Sequence, residues 1–273
     1  MPELPRRRPP YLDNDVDGVA RPKGLAHRGY APDGGENSLA AVRAAVETGC
    51  GWVETDVQAS RDGHLFVFHD DTLDRVAGTA GRISAMTAEQ VRAVRVDGDP
   101  IPTLAELLER FPRLRLNIDV KTAAGVAPLA AAIERFGAHD RVLVASFSDR
   151  RRRAVLRRLT RPTATSAGTA LTAVWVLAAA LPVLAPLAAR LLRDVDAFQV
   201  PERQSVLGGL AVPVVTARSI ALGHRWGIEV HVWTINDADV MRRLLDAGVD
   251  GIVSDRADLL AEVLGERGAW PQA

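Results

Sequence analysis

The chain has 273 residues, of which 47% are apolar and 25% charged, long enough to bury one large core or two small ones. Lys+Arg and Asp+Glu each total 34, so the formal net charge is zero and nothing in the charge suggests a general nucleic-acid or anionic-membrane binder. The one cysteine, Cys50, excludes an intramolecular disulfide and fits a reducing, cytoplasmic setting; lying where a helix stops before a strand, it reads as core.

Arg6-Arg7-Arg8 is followed by no apolar run, and residues 9–24 are rich in Pro, Asp and Gly. Residues 1–20 therefore read as a poorly ordered or loosely packed leader, not a secretory signal. Gly24–His27 is an apolar entry strand. Ser38–Thr48 has helical periodicity, with Leu39, Val42 and Val46 on one face, a cap from Asn37 or Ser38, and Gly49 as the stop. Trp52–Val57 is a strand with Val53, Thr55 and Val57 on one face and Glu54 and Asp56 on the other. Asp62-Gly63 is a tight turn, and Leu65–Phe68 a continuously apolar strand.

Residues 70–103 break the rhythm with Gly78, Gly81, Gly98, Pro100 and Pro102, and read as an insertion above the rest of the fold. Capping boxes start helices at Thr87 (with Gln90) and at Thr103 (with Glu106), the second running to Phe111. Strands are expected at Arg115–Val120, Val142–Ser146, Thr163–Thr165, Ala197–Val200, Glu229–Thr234 and Gly251–Ser254. Helices are expected at Val126–Phe136, Asp149–Leu159, Ala217–Trp226, Ala238–Ala247 and Asp258–Leu264.

Alternating strands and helices without a composition break argue for one α/β domain over residues 21–267, followed by a tail at 268–273. Its length and its eight or so units favour a closed (β/α)8 TIM barrel, and the absence of GxGxxG after the first strand weakens a dinucleotide-binding fold. Nine strand-like stretches compete for eight places, and the link from Gln58 to Leu65 is too short for a helical crossover. One of those stretches is therefore not a barrel strand, or one crossover helix is missing.

The chemistry gathers at strand ends. Glu54 and Asp56, two apart on a strand, aim two like charges at one spot and repel unless a cation lies between them or basic partners reach them. Asp119 offers a third carboxylate. All-oxygen ligands suit Mg²⁺ or Ca²⁺ rather than zinc. His27 and His69 each follow an apolar strand and flank the carboxylates, so one can act as base and the other as acid. Arg28 can hold phosphate oxygens through paired donors. Lys121, on the strand face of Asp119, either adds positive charge there or pairs with Asp119.

These phrases resemble the glycerophosphodiester phosphodiesterase family, a phospholipase-C-like branch of the TIM-barrel enzymes. The matching residues are His27-Arg28-Gly29, Glu36-Asn37-Ser38, Glu54-x-Asp56, His69-Asp70 with Thr72-Leu73-Asp74-Arg75, Asp119-x-Lys121, Ser146-Phe147, Trp233-Thr234-x-Asn236 and Asp250-Gly251-Ile252, in family order from Leu25 to Leu264. Two departures stand out: Ser38 where the family usually has threonine, and Asp119 where it usually has glutamate. The resemblance implies hydrolysis of small or lipid-derived glycerophosphodiesters to an alcohol and sn-glycerol 3-phosphate, with His27 and His69 in acid/base roles. It also implies a divalent cation on Glu54, Asp56 and Asp119, substrate contacts from Arg28 and Lys121, and Trp233 as an apolar wall under the glycerol. The alternatives are a phospholipase-D-like activity on lysophospholipids or sphingolipids, and a non-catalytic phosphate- or lipid-binding barrel.

Pro162 to Ala189 is 28 residues without a charge, and Ala170–Leu187 is nearly all Ala, Leu and Val with Trp175. By length it reaches membrane-span dimensions, but Pro182 and Pro186 interrupt it. A buried barrel helix is the first reading. An apolar lip beside the site, meeting acyl chains or a membrane surface through 170–187, is the second.

Overall fold

A computed structural model describes residues 8–16, 18–205 and 211–272. Among them eight parallel strands follow one another around a barrel: β1 (Lys23–His27), β2 (Trp52–Ala59), β3 (Arg115–Val120), β4 (Val142–Ala145), β5 (Ala164–Thr165), β6 (Ala197–Val200), β7 (Glu229–Val232) and β8 (Gly251–Ser254). β8 pairs with β1 in parallel, and a parallel bridge from Ser166 to Ala197 joins β5 to β6, which closes the ring. The helices that alternate with these strands are α1 (Leu39–Glu47), α2 (Leu104–Arg110), α3 (Val126–Arg135), α4 (Asp149–Leu156), α5 (Thr169–Ala180), α6 (Ala217–Arg225), α7 (Ala238–Asp246) and α8 (Ala257–Gly265). The expected (β/α)8 TIM barrel is the observed fold.

Strand alternation sorts the side chains. Val53, Val57, Leu116, Ile118 and Val120 join the apolar layer between strands and helices, with Val42 and Ala45 of α1. Leu25, Trp52, Leu143, Ala164, Ala197 and Val253 fill a second cluster, which takes in Tyr11 and Leu12. This corrects the expectation of a loosely packed leader. Residues 1–7 lie outside the described residues, but Pro10–Leu12 forms a 3-10 turn whose Tyr11 and Leu12 are buried. The Trp52 indole N–H donates to the Tyr11 carbonyl at 3.0 Å. The cause is the apolar filling of the barrel, which needs a cover that the proline-rich segment supplies. The tail is also held: the Trp270 indole donates to the Thr48 carbonyl at 2.8 Å. Cys50 is fully buried, as expected of a core residue, and burial pushes its thiol up to about 12.

The ninth strand-like stretch is not a barrel strand. Leu65–Val67 runs antiparallel to β2, with Val57 opposite Val67 and Ala59 opposite Leu65. The short link is a hairpin turn, with the Gly63 amide donating to Ser60 O at 3.0 Å. Residues 70–103 then form the short helices Asp74–Ala77 and Ala88–Ala93 and a small hairpin, Arg95–Val96 with Asp99–Pro100. They share an apolar cluster of Leu73, Ile83, Val91 and Val96 with Phe66 and Phe68. Both expected capping boxes are present, at Thr87/Gln90 and Thr103/Glu106.

The uncharged segment divides into α5, a turn, and the helix Ala185–Leu191. No helix of the described residues is long and apolar enough to cross a membrane. Leu171, Trp175 and Ala178 of α5 are buried, and Trp175 stacks on Phe198 with ring centroids 4.0 Å apart. One face of α5 is thus the expected buried barrel helix. A further hairpin, Arg203–Ser205 with Ala211–Pro213, has no counterpart in the sequence reading.

Candidate active site

The register of β1, β2 and β3 levels the candidate residues. His27 lies beside Glu54 and Glu54 beside Asn117; two residues further on, Asp56 lies beside Asp119. Because side chains alternate, all of them point the same way as Leu25 and Trp52, at the C-terminal end where barrel enzymes place their sites. His69 arrives by another route. The hairpin carries the chain back along β2, and the Phe68 amide donates to the Asp56 carbonyl at 3.0 Å, returning His69 to the carboxylates. His27, Arg28, Glu54, Asp56, His69, Asp119, Lys121 and Trp233 all line one cavity of about 780 Å³.

Arg28 follows β1 with φ 56° and Gly29 with φ 86°. A Cβ on Gly29 would come within 2.7 Å of the Ala41 backbone, so glycine is needed both for the turn and for the approach of α1. Asn37 also has positive φ, 60°. Strain of this kind costs roughly 1–3 kcal/mol per residue and persists where surroundings over-determine it. Asn37 is so determined: its amide donates to Asp56 Oδ2 at 3.2 Å while its carbonyl accepts from Thr55 Oγ1 at 2.7 Å. Ser38, not Asn37, caps α1, through the Ala41 amide at 3.0 Å.

Lys121 Nζ lies 2.7 Å from both Asp56 Oδ1 and Asp119 Oδ2. Arg28 donates to Glu36 at 2.9 Å, and its Nε is 3.3 Å from Asp56 Oδ2, an ion pair without hydrogen-bond alignment. Burial opposes ionisation of Asp56, but Lys121 and Arg28 overcome it and hold its carboxyl below the usual range. At Glu54 the same two cations do not prevail. Burial first, then the charge of Asp56, push its carboxyl well above the usual range. Burial also raises Asp119, partly offset by Lys121.

Glu54, Asp56 and Asp119 share the cavity, with Lys121 bridging Asp56 and Asp119. Among the described residues no three His, Cys, Asp or Glu side chains are gathered to hold a metal ion. The donor chemistry nevertheless suits a hard cation. Glu54 Oε2, Asn117 Oδ1 and Asp119 Oδ1 are buried acceptors without a hydrogen-bond partner. Each such atom costs roughly 1–3 kcal/mol, and a cation that prefers oxygen would satisfy them.

Each histidine has a carboxylate behind it. His27 Nδ1 is 2.6 Å from Asp255 Oδ1, and His69 Nδ1 is 2.5 Å from Asp70 Oδ1. With Nδ1–H donating to the carboxylate, Nε2 of each ring carries no hydrogen bond, and that of His27 lies 3.8 Å from Glu54 Oε2. Asp255 is fixed in turn by the Asn236 amide at 2.7 Å. Asp70 is gripped by Arg75, which also holds Glu36 at 2.6 Å, and the Arg75 hydrogen bonds pull Asp70 down to about 2. Trp233 is half-buried and meets Phe147 edge-on, ring centroids 6.3 Å apart.

The residue the sequence reading missed is Asp255. Its signal was available, one position past the end of β8, which pairs with β1. We expect Asp255→Asn to lower kcat roughly tenfold to a hundredfold while KM holds, a fraction of what a general acid or base contributes. Asp255→Glu should recover part of the loss. Equal loss in both variants with an unchanged KM would mean that the carboxylate does not orient His27.

Comparison with known proteins places the chain in a family. The sequence profile of the glycerophosphoryl diester phosphodiesterase family matches residues 27–259. The "Probable glycerophosphodiester phosphodiesterase 2" of Mycobacterium tuberculosis is 44% identical over 254 residues, covering 91% of this chain and 93% of its own. A crystal structure of the Agrobacterium tumefaciens glycerophosphodiester phosphodiesterase superimposes with a TM-score of 0.71 at 25% identity, covering 89% of this chain and 99% of that one. An Oleispira antarctica phosphodiesterase, solved with the product sn-glycerol-3-phosphate, shares the fold with a TM-score of 0.69 at 22% identity, over 91% of this chain and 96% of that one. The chain belongs to the glycerophosphoryl diester phosphodiesterase family, whose members are phosphoric diester hydrolases.

Proposed function

We propose that this protein hydrolyses glycerophosphodiesters to an alcohol and sn-glycerol 3-phosphate, with a divalent cation and two histidines. The observation that carries the reading is the pair of carboxylate-backed imidazoles opening into one cavity with Arg28, Lys121 and the three carboxylates. Arg28 and Lys121 hold the phosphate oxygens and oppose the charge that grows on them. Glu54, Asp119 and Asp56 would hold the cation, Mg²⁺ or Ca²⁺, which would supply further positive charge to neutralise the phosphoryl group. One histidine takes the proton of the nucleophile, water or the adjacent glycerol hydroxyl. The other returns a proton to the departing alkoxide. Trp233 and Phe147 wall the glycerol on the apolar side. Release of glycerol 3-phosphate from a panel of glycerophosphodiesters, with each metal in turn, tests the reading. No release from any of them would favour a non-catalytic binding barrel.

Asp119 is where this chain departs from the family's usual glutamate, and it separates two roles. As a cation ligand, Asp119→Asn should weaken metal binding as strongly as changes at Glu54, and Asp119→Glu should be mild, shifting the balance between Mg²⁺ and Ca²⁺ because Ca²⁺ tolerates more varied ligand distances. As a partner of Lys121 alone, Asp119→Asn should leave metal affinity unchanged and raise KM. Calorimetric metal titration of Asp119→Asn decides, and wild-type affinity there removes Asp119 from the cation's ligands.

A further inference from the structure

The N-terminal ends of β3 and β4, opposite the catalytic cavity, border a further recess of about 620 Å³. The turn after α2, the start of β3, the approach to β4 and the segment at Pro10 form its walls. Register explains what meets there. Leu116 of β3 lies beside Val142 of β4, and the Leu116 amide donates to the Arg141 carbonyl at 2.8 Å. Arg115 and Arg141, one position earlier in each case, therefore enter the barrel as neighbours. Both line the recess, together with Arg113.

Two neighbouring guanidinium groups repel unless an anion lies near both. No carboxylate of the described residues takes that place. The Arg115 side chain has neither a hydrogen bond nor an ion pair among them; it stacks on Trp52, its Cζ 4.5 Å from the ring centroid. A stacked guanidinium keeps its donors in its own plane, where an anion can meet them edge-on. Arg141 donates to the carbonyls of Leu108, Phe111 and Leu114 at 3.0, 3.3 and 3.4 Å, which fixes the side chain and leaves its charge uncompensated. The acids of the recess are engaged elsewhere or solvated: Asp140 turns to Arg161 at 2.6 Å, Asp13 lies 3.7 Å from Arg8, and Glu109 is exposed. Burial lowers the pKa of both guanidinium groups, opposed at Arg115 by Tyr11 and Asp13 and at Arg141 by no charged group. Arg28 and Arg152, also largely buried, each hold a carboxylate.

We propose that this recess is a binding site for a phosphate dianion, free or at the end of a small phosphate monoester, held by Arg115 and Arg141 with Arg113 at the rim. A dianion matches the charge of the uncompensated pair. A phosphate also has oxygens enough to meet two guanidinium groups at once, where a carboxylate has two oxygens and one charge. The volume lies within the roughly 300–1,000 Å³ span of small-molecule sites, so an organic portion fits beside the phosphate. An anion bound there ties the Pro10 segment and the turn after α2 to the barrel, and a ligand that binds only the folded chain stabilises it. None of the three arginines lines the catalytic cavity, so the inference stands apart from the phosphodiesterase reading.

The test is calorimetric titration of the full chain with inorganic phosphate and with sn-glycerol 3-phosphate. It is run in about 0.15 M salt, where the Debye length is roughly 8 Å and scattered surface charges are screened. The catalytic cavity offers cations of its own, so the titrations use the Arg28→Met chain. We expect that chain to bind phosphate and to gain Tm on binding. Arg115→Gln in the same background should weaken binding roughly tenfold or more, through the loss of charge-assisted hydrogen bonds. Arg115→Lys keeps the charge without the fork and should recover part of the loss. Arg113→Glu, at an exposed position, should weaken binding as well, which keeps the test decisive if Arg115→Gln does not fold. No phosphate bound by the Arg28→Met chain overturns the site, and so does an affinity that neither Arg115→Gln nor Arg113→Glu changes. Acetate binding as tightly as phosphate also overturns it, in favour of a carboxylate site. The tighter of the two phosphate titrants names the source, and either order upholds the site.

Discussion

His27→Ala and His69→Ala are each expected to lower kcat by roughly 10²-fold or more, the usual scale for losing a general acid or base. The reasoning begins with their two buttresses. Asp255 and Asp70 fix the Nδ1 nitrogens, leaving two Nε2 nitrogens without a hydrogen bond in one cavity. If each handles a different proton, the pH–rate profile is bell-shaped and each variant loses a different limb. If both handled the same proton, the double variant would be no worse than either single one. Neither ring is part of the apolar core, and His27 and His69 side chains are 18% and 35% exposed, so the folded state should survive both changes. The measurement is kcat over a pH series for both variants and their combination. A near-normal kcat in either one would make that histidine structural.

If Glu54 and Asp56 ligate the cation, Glu54→Gln and Asp56→Asn are expected to abolish turnover and weaken divalent-cation binding, because each keeps its shape and loses the charge that would ligate a hard cation. Their stabilities should part company. Asp56 is held ionised by Lys121 and Arg28, so Asp56→Asn takes one carboxylate from each of two partly buried cations, leaving Lys121 with Asp119 and Arg28 with Glu36, and should lower Tm. Burial and the charge of Asp56 raise the Glu54 carboxyl well above the usual range. A carboxyl whose folded pKa lies above its unfolded value, about 4.3 for glutamate, supports the fold at low pH and withdraws that support as pH rises through the folded value. Metal-free Glu54→Gln escapes that loss, so its Tm should match or exceed wild type, increasingly so at higher pH. A residue that costs stability and is kept for its chemistry behaves in this way. EDTA should inactivate the wild type. Full activity in EDTA with no bound metal, or a large loss of Tm in metal-free Glu54→Gln, would remove Glu54 from the cation site.

Local rules carried the sequence reading a long way. Alternation along Trp52–Val57 separates Val53 and Val57 from Glu54 and Asp56 before any fold is known, and the helix layer and cavity floor receive those two sets. Capping chemistry fixed the starts of α1 and α2, because a hydroxyl and an amide a turn apart in sequence meet whatever surrounds them. The motif residues His27, Arg28, Glu54, Asp56, His69, Asp119, Lys121 and Trp233 do line one cavity.

What only the tertiary structure decided were the pairings between distant elements, because period and capping hold no record of which strand lies beside which. An apolar run such as Leu65–Val67 reads the same whether it enters the barrel or folds back on β2; the hairpin resolved it and thereby set His69 against the carboxylates. Asp255 became a partner of His27 only through the pairing of β8 with β1, residues 228 apart in sequence. Lys121 could reach toward a phosphate or toward Asp119 on sequence grounds, and the β2–β3 register brings it to Asp56 as well. Tyr11 and Leu12 sit in a stretch whose composition suggests disorder, yet an apolar barrel interior gives them somewhere to be buried. Composition marked the segment from 162 to 189 as apolar throughout. Ring closure decided which face of α5 the core takes, and so which face it leaves to the cavity.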